Sequence, residues 1–166
     1  MKIITNFSLP ADAGESALAL GRFDGLHRAH QAVIQRAVQD RAAGLVPSVF
    51  TFVPEPGKGA ALLETEEQRL AELERMGVER VFAASLEQVR DMTPQAFVEQ
   101  LLKQVCRARR VYCGFNFRFG KDRAGDAQTL ALAALFTLVA GGAMTVYAHL
   151  EKPNGKFRIF KPDEHV

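Results

Sequence analysis

The sequence predicts an α/β domain built on a mainly parallel, five-stranded sheet with helices on both faces. Three observations lead there. Short apolar runs rich in β-branched and aromatic residues alternate with longer amphipathic stretches. The boundaries between them carry helix-start and helix-stop residues. The 166 residues are 48% hydrophobic and 24% charged, which suits a soluble globular chain with one core and is too short for two ordinary domains. Repeated strand-then-helix alternation favours parallel strands joined by helical crossovers. Residues 1–166 are therefore read as a single domain.

The first strand is expected at residues 17–20, an Ala-Leu-Ala-Leu run that stops at Gly21. Between 30 and 43, Val33, Ile34, Ala37 and Val38 follow a helical period, with Gly44 as the stop. Residues 46–52 return to strand composition. Thr65-Glu66-Glu67-Gln68 is a capping box that opens a helix through Met76, closed by Gly77. The charged run from 64 to 74 reads as a solvated helix face. A third strand follows at 78–84. Thr93 as N-cap and Pro94 at the first helical position start another helix through Phe97, Leu101 and Val105. A fourth strand at 110–113 leads into a loop from Gly114 to Gly125. Asp126 caps an apolar helix to about residue 140, ended by Gly141-Gly142. A fifth strand at 144–150 and the Pro153-Asn154-Gly155 turn bring residues 157–160 back as a hairpin arm.

Composition removes several classes of function. Lys and Arg total 21 against 19 Asp and Glu, so a net charge of +2 gives no strong pull towards nucleic acid or an anionic membrane. No apolar run approaches the roughly 18–20 residues of a membrane span. The opening residues have no apolar stretch with a cleavage site, so no export signal is read and a cytoplasmic setting is expected. Cys106 and Cys113 form no disulfide framework, and their spacing matches no common zinc pattern. They read as plain apolar residues. His149 and His165 stand without visible partners, and no oligomeric partner is read from the sequence.

In a parallel sheet, ligands sit beyond the carboxyl ends of the strands. Three unusual segments fall there. The first is Gly21-Arg22-Phe23-Asp24-Gly25-Leu26-His27-Arg28-Ala29-His30. A helix start presents free N–H groups and partial positive charge, which favour phosphate. His27 and His30 could add hydrogen bonds to charge developing on phosphorus, and Gly21 and Gly25 would permit tight turns. Ordinary capping histidines, or half of a metal site, are the competing readings. The second segment, Thr51-Phe52-Val53-Pro54-Glu55-Pro56, is a stiffened loop in which Phe52 either faces a planar ligand or enters the core. The third is Gly114-Phe115-Asn116-Phe117-Arg118-Phe119-Gly120, followed by Lys121 to Asp126. Its alternating phenylalanines beside Asn116 suggest a planar ligand held by stacking and an amide bond. A half-buried strand is one alternative. Single-stranded RNA binding is another, disfavoured by the near-neutral charge and the α/β pattern.

Taken in order, these segments resemble the adenylyltransferase module of bacterial FAD synthetases, the bifunctional riboflavin kinase/FMN adenylyltransferases. The family's G-x-F-D-G-x-H-x-G-H is matched by Gly21, Phe23, Asp24, Gly25, His27 and His30. Its T-F-x-P-x-P is matched by Thr51, Phe52, Pro54 and Pro56. Its G-x-[DN]-F-x-F-G with a basic continuation is matched by Gly114, Asn116, Phe117, Phe119, Gly120, Arg123 and Gly125, and residues 92–98 resemble the stretch before the next helix. The resemblance runs from about residue 17 to 138.

It implies a Rossmann-like nucleotidyltransferase fold using ATP and Mg²⁺, in which the FMN phosphate attacks the α-phosphorus of ATP to give FAD and pyrophosphate. His27 and His30 would hold the ATP phosphates as the catalytic pair, with Gly21, Phe23, Asp24 and Gly25 shaping the nucleotide side. Phe52, Pro54, Pro56, Asn116, Phe119 and Arg123 would line the flavin pocket. No residue is assigned to a protein-held metal. The sequence departs from the family at Ala29, where the family has glycine, and at Glu55, where it commonly has histidine. No riboflavin kinase domain is expected within these 166 residues. Nothing after residue 138 matches the family's I-S-S-T-x-I-R segment, whose hydroxyls and arginine contact ATP, so turnover is expected to suffer more than binding. The rival expectations are a flavin or nucleotide binder without turnover, and a nucleotidyltransferase of the same superfamily with another substrate.

Overall fold

The fold is that of a computed structural model, which describes residues 1–53, 65–138, 144–151 and 157–159. Pro54, Glu55, Pro56, the glycines at 141–142 and the turn at 153–155 lie outside those residues. In chain order the elements are β1 (Lys2–Ile4), β2 (Ser16–Leu20), α1 (Arg28–Gln39), β3 (Val46–Phe52), α2 (Glu66–Arg75), β4 (Arg80–Ala84), α3 (Leu86–Val89) and α4 (Pro94–Ala96). A π-helix, Phe97–Val105, continues α4. Then follow β5 (Ala108–Gly114), β6 (Arg118–Phe119), β7 (Gly125–Asp126), α5 (Ala127–Leu138), β8 (Thr145–Glu151) and β9 (Phe157–Ile159).

The main sheet runs β1-β4-β3-β2-β5-β8-β9. Every pairing is parallel except β8 with β9, the expected hairpin arm. The parallel part therefore has six strands. The addition is β1, which lies on the edge with Ile3 opposite Val81 and 47% exposed. Three residues are too few to display a period of two, which is why this strand escapes a reading by pattern.

Alternation along the strands sorts side chains into two cores. Leu18, Leu20, Phe50, Phe82, Val111 and Cys113 point to the face covered by the π-helix and α5, where Leu101, Leu102 and Leu130 meet them. Ala17, Ala19, Val49, Val81 and Tyr112 point to the other face, under Val33, Ile34 and Ala37 of α1 and Leu73 of α2. Small alanines in β2 let α1 pack closely on that side.

The local signals account for the helix ends. Thr65 and Gln68 make both bonds of the capping box, and Gly77 after α2 has φ +97. The Thr93 hydroxyl accepts from the Ala96 N–H at 3.1 Å, with Pro94 at the first helical position. Asp126 accepts from the Thr129 N–H at 2.7 Å and so caps α5. Gly44 closes a 3₁₀ turn after α1 at φ +78.

Strand order fixes where a ligand belongs. From β2 the chain moves through β3 to β4 on one side, then returns to place β5 on the other side of β2. The β2/β5 boundary is thus the topological switch point, where open α/β sheets bind ligands at the carboxyl edge. Register brings Leu20 level with both Phe50 and Cys113, so Gly21 and Gly114 leave the sheet side by side.

Candidate active site

The loop from Gly21 to His27 is shaped by one buried ring. Phe23 has φ +50, a left-handed conformation uncommon for an aromatic residue, and is 1% exposed. Its ring lies against Gly21, where a Cβ would stand 2.8 Å from Phe23 Cζ. Glycine at 21 is therefore a steric requirement. The carbonyl of Arg22, just before this turn, accepts from the Thr51 hydroxyl at 2.8 Å and from Arg69 Nη1 at 3.3 Å.

Gly25, at φ +62, turns the chain into α1. Its carbonyl accepts from the His27 N–H at 2.6 Å and lies 3.2 Å from His30 Nδ1. A carbonyl only accepts, so in that bond Nδ1 carries the hydrogen. His27 and His30 stack at 3.8 Å between ring centroids, and Phe23 meets His30 edge-on at 5.3 Å. His30 is held below its ordinary pKa of 6.5, first by burial and then by His27, with the Gly25 carbonyl and Asp24 opposing.

This geometry separates the competing readings of the histidine pair. His27 occupies the N-cap position of α1, yet its side chain makes no capping hydrogen bond, and the first turn contains no acidic residue. The histidines are not ordinary caps. Among the described residues no three His, Cys, Asp or Glu side chains converge as a metal site. The twelve-residue α1 thus starts without a side-chain cap, with His27 at its N-cap position and His30 in its first turn.

The second loop leaves β5 beside it. Asn116 folds back so that its Oδ1 would lie 3.1 Å from a Cβ at Gly114. Asn116 and Phe115 are exposed, the latter by 50%. The rest of the expected loop has structure of its own: β6 and β7 pair antiparallel, with Phe119 opposite Gly125. Gly120 sits against the Pro94 backbone at φ +73, and the Lys121 N–H donates to the Met92 carbonyl at 2.6 Å. The segment around Met92 to Pro94 thus anchors this loop.

The phenylalanines divide differently from the expectation. Phe119 is 4% exposed, packed on Phe97 at 4.9 Å and on Phe117 at 5.8 Å, with Gly125 against its edge. Neighbouring rings occupy it, so its place is beneath the loop rather than open for stacking. Phe52 is half-buried, edge-on to Phe50 at 5.6 Å. Both belong to the π-helix face, whereas Phe23 belongs to the α1 face. Arg123 is exposed at φ +58. The structure therefore brings Gly21, Phe23, Asp24, Gly25, His27 and His30 together in the loop and the first turn of α1. Gly114 and Asn116 stand next to it across the switch point, with Phe52 and Phe119 on the opposite face.

One expectation needs correction. The run from 64 to 74 is not solvated throughout: Arg69 is 5% exposed and Leu73 fully buried. A lone arginine within a charged helical run carries no sequence signal of burial, because its partner, the Arg22 carbonyl, is 47 residues away. Both cysteines are buried, and burial raises both thiols, that of Cys113 up to about 12, which disfavours the reactive thiolate. A shallow cleft of about 590 Å³ lies elsewhere, on the β1 edge among Ile3, Glu66, Leu70 and Glu74, and its glutamates make it unfit for phosphates.

The family described as FAD synthetase matches residues 9–147. The bifunctional riboflavin kinase/FMN adenylyltransferase of Listeria monocytogenes is 33% identical over 123 residues, covering 69% of this chain and 39% of its own length. The Pseudomonas fluorescens protein of the same description is 35% identical over 125 residues, covering 70% of this chain and 40% of its own length. The chain spans about two fifths of the length of these relatives. A solved structure described as a macrolide-efflux protein from Streptococcus pneumoniae superposes with a TM-score of 0.70 at 24% identity, covering 93% of this chain and 52% of that one. That likeness concerns the fold alone. No described helix is long and apolar enough to cross a membrane.

Proposed function

The chain belongs to the FAD synthetase family, and from that premise we propose that it is an FMN adenylyltransferase. A phosphate oxygen of FMN attacks the α-phosphorus of ATP, the new O–P bond forms as the bond to the β-phosphate oxygen breaks, and FAD and pyrophosphate leave. The observation that carries this reading is the stacked, uncapped His27–His30 pair at the start of α1, beside the Gly114–Asn116 turn at the switch point. Reactions of this kind depend mainly on positioning and on stabilising charge at phosphorus.

The residues take roles by their surroundings. The first N–H groups of α1 and the two imidazoles receive the ATP phosphates. Gly21, Phe23 and Gly25 hold the loop in shape, and Asp24 shapes the nucleotide side beside His30. Asn116 offers its amide to the flavin, with the half-buried Phe52 and the exposed Phe115 as aromatic faces, Phe119 supporting the loop from beneath and the exposed Arg123 as a cation beside it. Pro54 and Pro56 complete the pocket in the family-based reading. Mg²⁺ would come bound to the nucleotide phosphates, where it would offset their charge while keeping several waters and few protein ligands. The setting is cytoplasmic, where buried free thiols remain reduced.

The rival reading is a flavin and nucleotide binder with slow or no turnover. Titration with FMN and with ATP, followed by an assay for FAD and pyrophosphate, separates the two. Binding with product formation supports the transferase, binding without product supports the binder, and ATP binding without FMN binding points to a different substrate.

A further inference from the structure

The phosphate loop is braced from a distance. Phe23 keeps a left-handed backbone that a bulky residue adopts only when its surroundings impose it. The bonds that impose it converge on the preceding carbonyl, that of Arg22. One comes from Thr51 at the end of β3, and the other from Arg69 on α2. Arg69 is 5% exposed, and its Nε has no partner among the described residues. Among the described residues this buried guanidinium is held by one neutral acceptor, a poor contributor to stability, and apolar replacements of buried charges are often neutral or stabilising. Fold stability therefore does not explain this side chain, whereas its position does.

We propose that Arg69 is a positioning residue for the phosphate loop: together with the Thr51 hydroxyl it grips the Arg22 carbonyl and fixes the turn at Phe23 on which His30, and through it His27, is seated. The chain of contacts is continuous. Arg69 and Thr51 hold Arg22, the Phe23 ring packs against Gly21 and meets His30 edge-on, and His30 stacks on His27. Its positive charge, placed behind a loop that receives phosphates, adds to the attractive field without touching the ligand. The proposal rests on the adenylyltransferase reading for the identity of the ligand, and on the fold alone for the seating of the histidines.

The test uses the full chain with Arg69→Met, close in volume, and Arg69→Lys, which keeps the charge and a donor. Three quantities are measured: the melting temperature, the affinity for ATP with Mg²⁺, and the NMR shifts of the His30 ring protons in the empty protein. Those shifts report ring currents from Phe23 and His27. Arg69→Met is expected to keep or raise the melting temperature, to weaken ATP binding about tenfold, the worth of one lost hydrogen bond of ordinary strength, and to move the His30 shifts towards those of an unstacked imidazole. Arg69→Lys is expected to recover most of both. Wild-type ATP affinity and unmoved His30 shifts in Arg69→Met overturn the proposal. So does a fall in melting temperature and affinity with the His30 shifts unmoved, which would mark a merely structural residue. If Arg69→Met does not fold, Thr51→Val, which removes the other donor to the same carbonyl, is read in the same way. If the wild-type protein binds no ATP, the adenylyltransferase reading fails, and the His30 shifts still decide the role of Arg69.

Discussion

His27 and His30 stack with ring centroids 3.8 Å apart and planes inclined by 25°, and His30 also meets the ring of Phe23 at 5.3 Å. One imidazole is thus exposed and the other half-buried, both at the start of a helix whose first N–H groups have no side-chain cap. Burial first, and then the charge of His27, hold the His30 pKa down, and bound polyphosphate would oppose that shift.

Replacing both histidines by alanine should weaken ATP binding by at least tenfold, since charge-assisted hydrogen bonds contribute about 1.5–3 kcal/mol each. The fold should persist, because His27 is exposed and the core beneath Phe23 is independent of it. Calorimetric titration of the folded double variant checks this. Unchanged affinity would remove the pair from the phosphate site.

ATP affinity should rise as pH falls from about 8 to 6, the range in which histidine changes charge. The sign follows from His30, whose pKa lies below 6.5 in the empty protein through burial and His27. Bound phosphates favour the protonated ring and raise that pKa, so binding takes up a proton at any pH between the two values. Calorimetry of Mg²⁺-bound ATP in buffers of different ionisation enthalpy measures the uptake. His30→Gln should show less of it, and equal uptake in wild type and variant would refute the linkage.

Gly21→Ala should destabilise by about 1–3 kcal/mol, the usual cost of overpacking, and should also weaken ATP binding. The added methyl would stand 2.8 Å from the Phe23 ring and displace it. Gly44→Ala makes a useful comparison, having φ +78 but nothing within 4 Å of the new Cβ. It should lower stability through backbone strain alone and leave ATP affinity as it is.

The second loop predicts a split between two neighbouring positions. Asn116 is exposed, so Asn116→Ala should leave the melting temperature near wild type and reduce FMN affinity more than ATP affinity. Phe119→Ala should instead cost about 3–5 kcal/mol of stability, as expected for an aromatic residue buried among Phe97, Phe117 and Gly125. Thermal melts alongside flavin titrations would show the split. A stable Phe119→Ala protein with selective loss of FMN would restore Phe119 as a stacking residue.

How much of this was legible in the sequence varies by element. Strands β2 to β5 could be read because each presents alternate residues to two cores, which leaves a continuous apolar run. The caps at Thr65, Thr93 and Asp126 were legible because capping is local chemistry. The fates of Phe115, Phe117 and Phe119 were not. Their alternate spacing suits a stacking platform, but whether each ring is buried depends on Phe97 and Gly125, and so on tertiary contacts. The π-helix at Phe97–Val105 leaves the same apolar pattern as an α-helix and could not be distinguished from one. Arg69 was hidden for a similar reason, since the carbonyl it meets belongs to a loop remote in sequence.

The most direct measurement is the formation of FAD and pyrophosphate from FMN, ATP and Mg²⁺ by the purified chain. An FMN adenylyltransferase yields equimolar FAD and pyrophosphate, and the His27→Ala, His30→Ala double substitution abolishes both. A preparation that binds neither FMN nor ATP, or a double variant as active as the wild type, would contradict that reading.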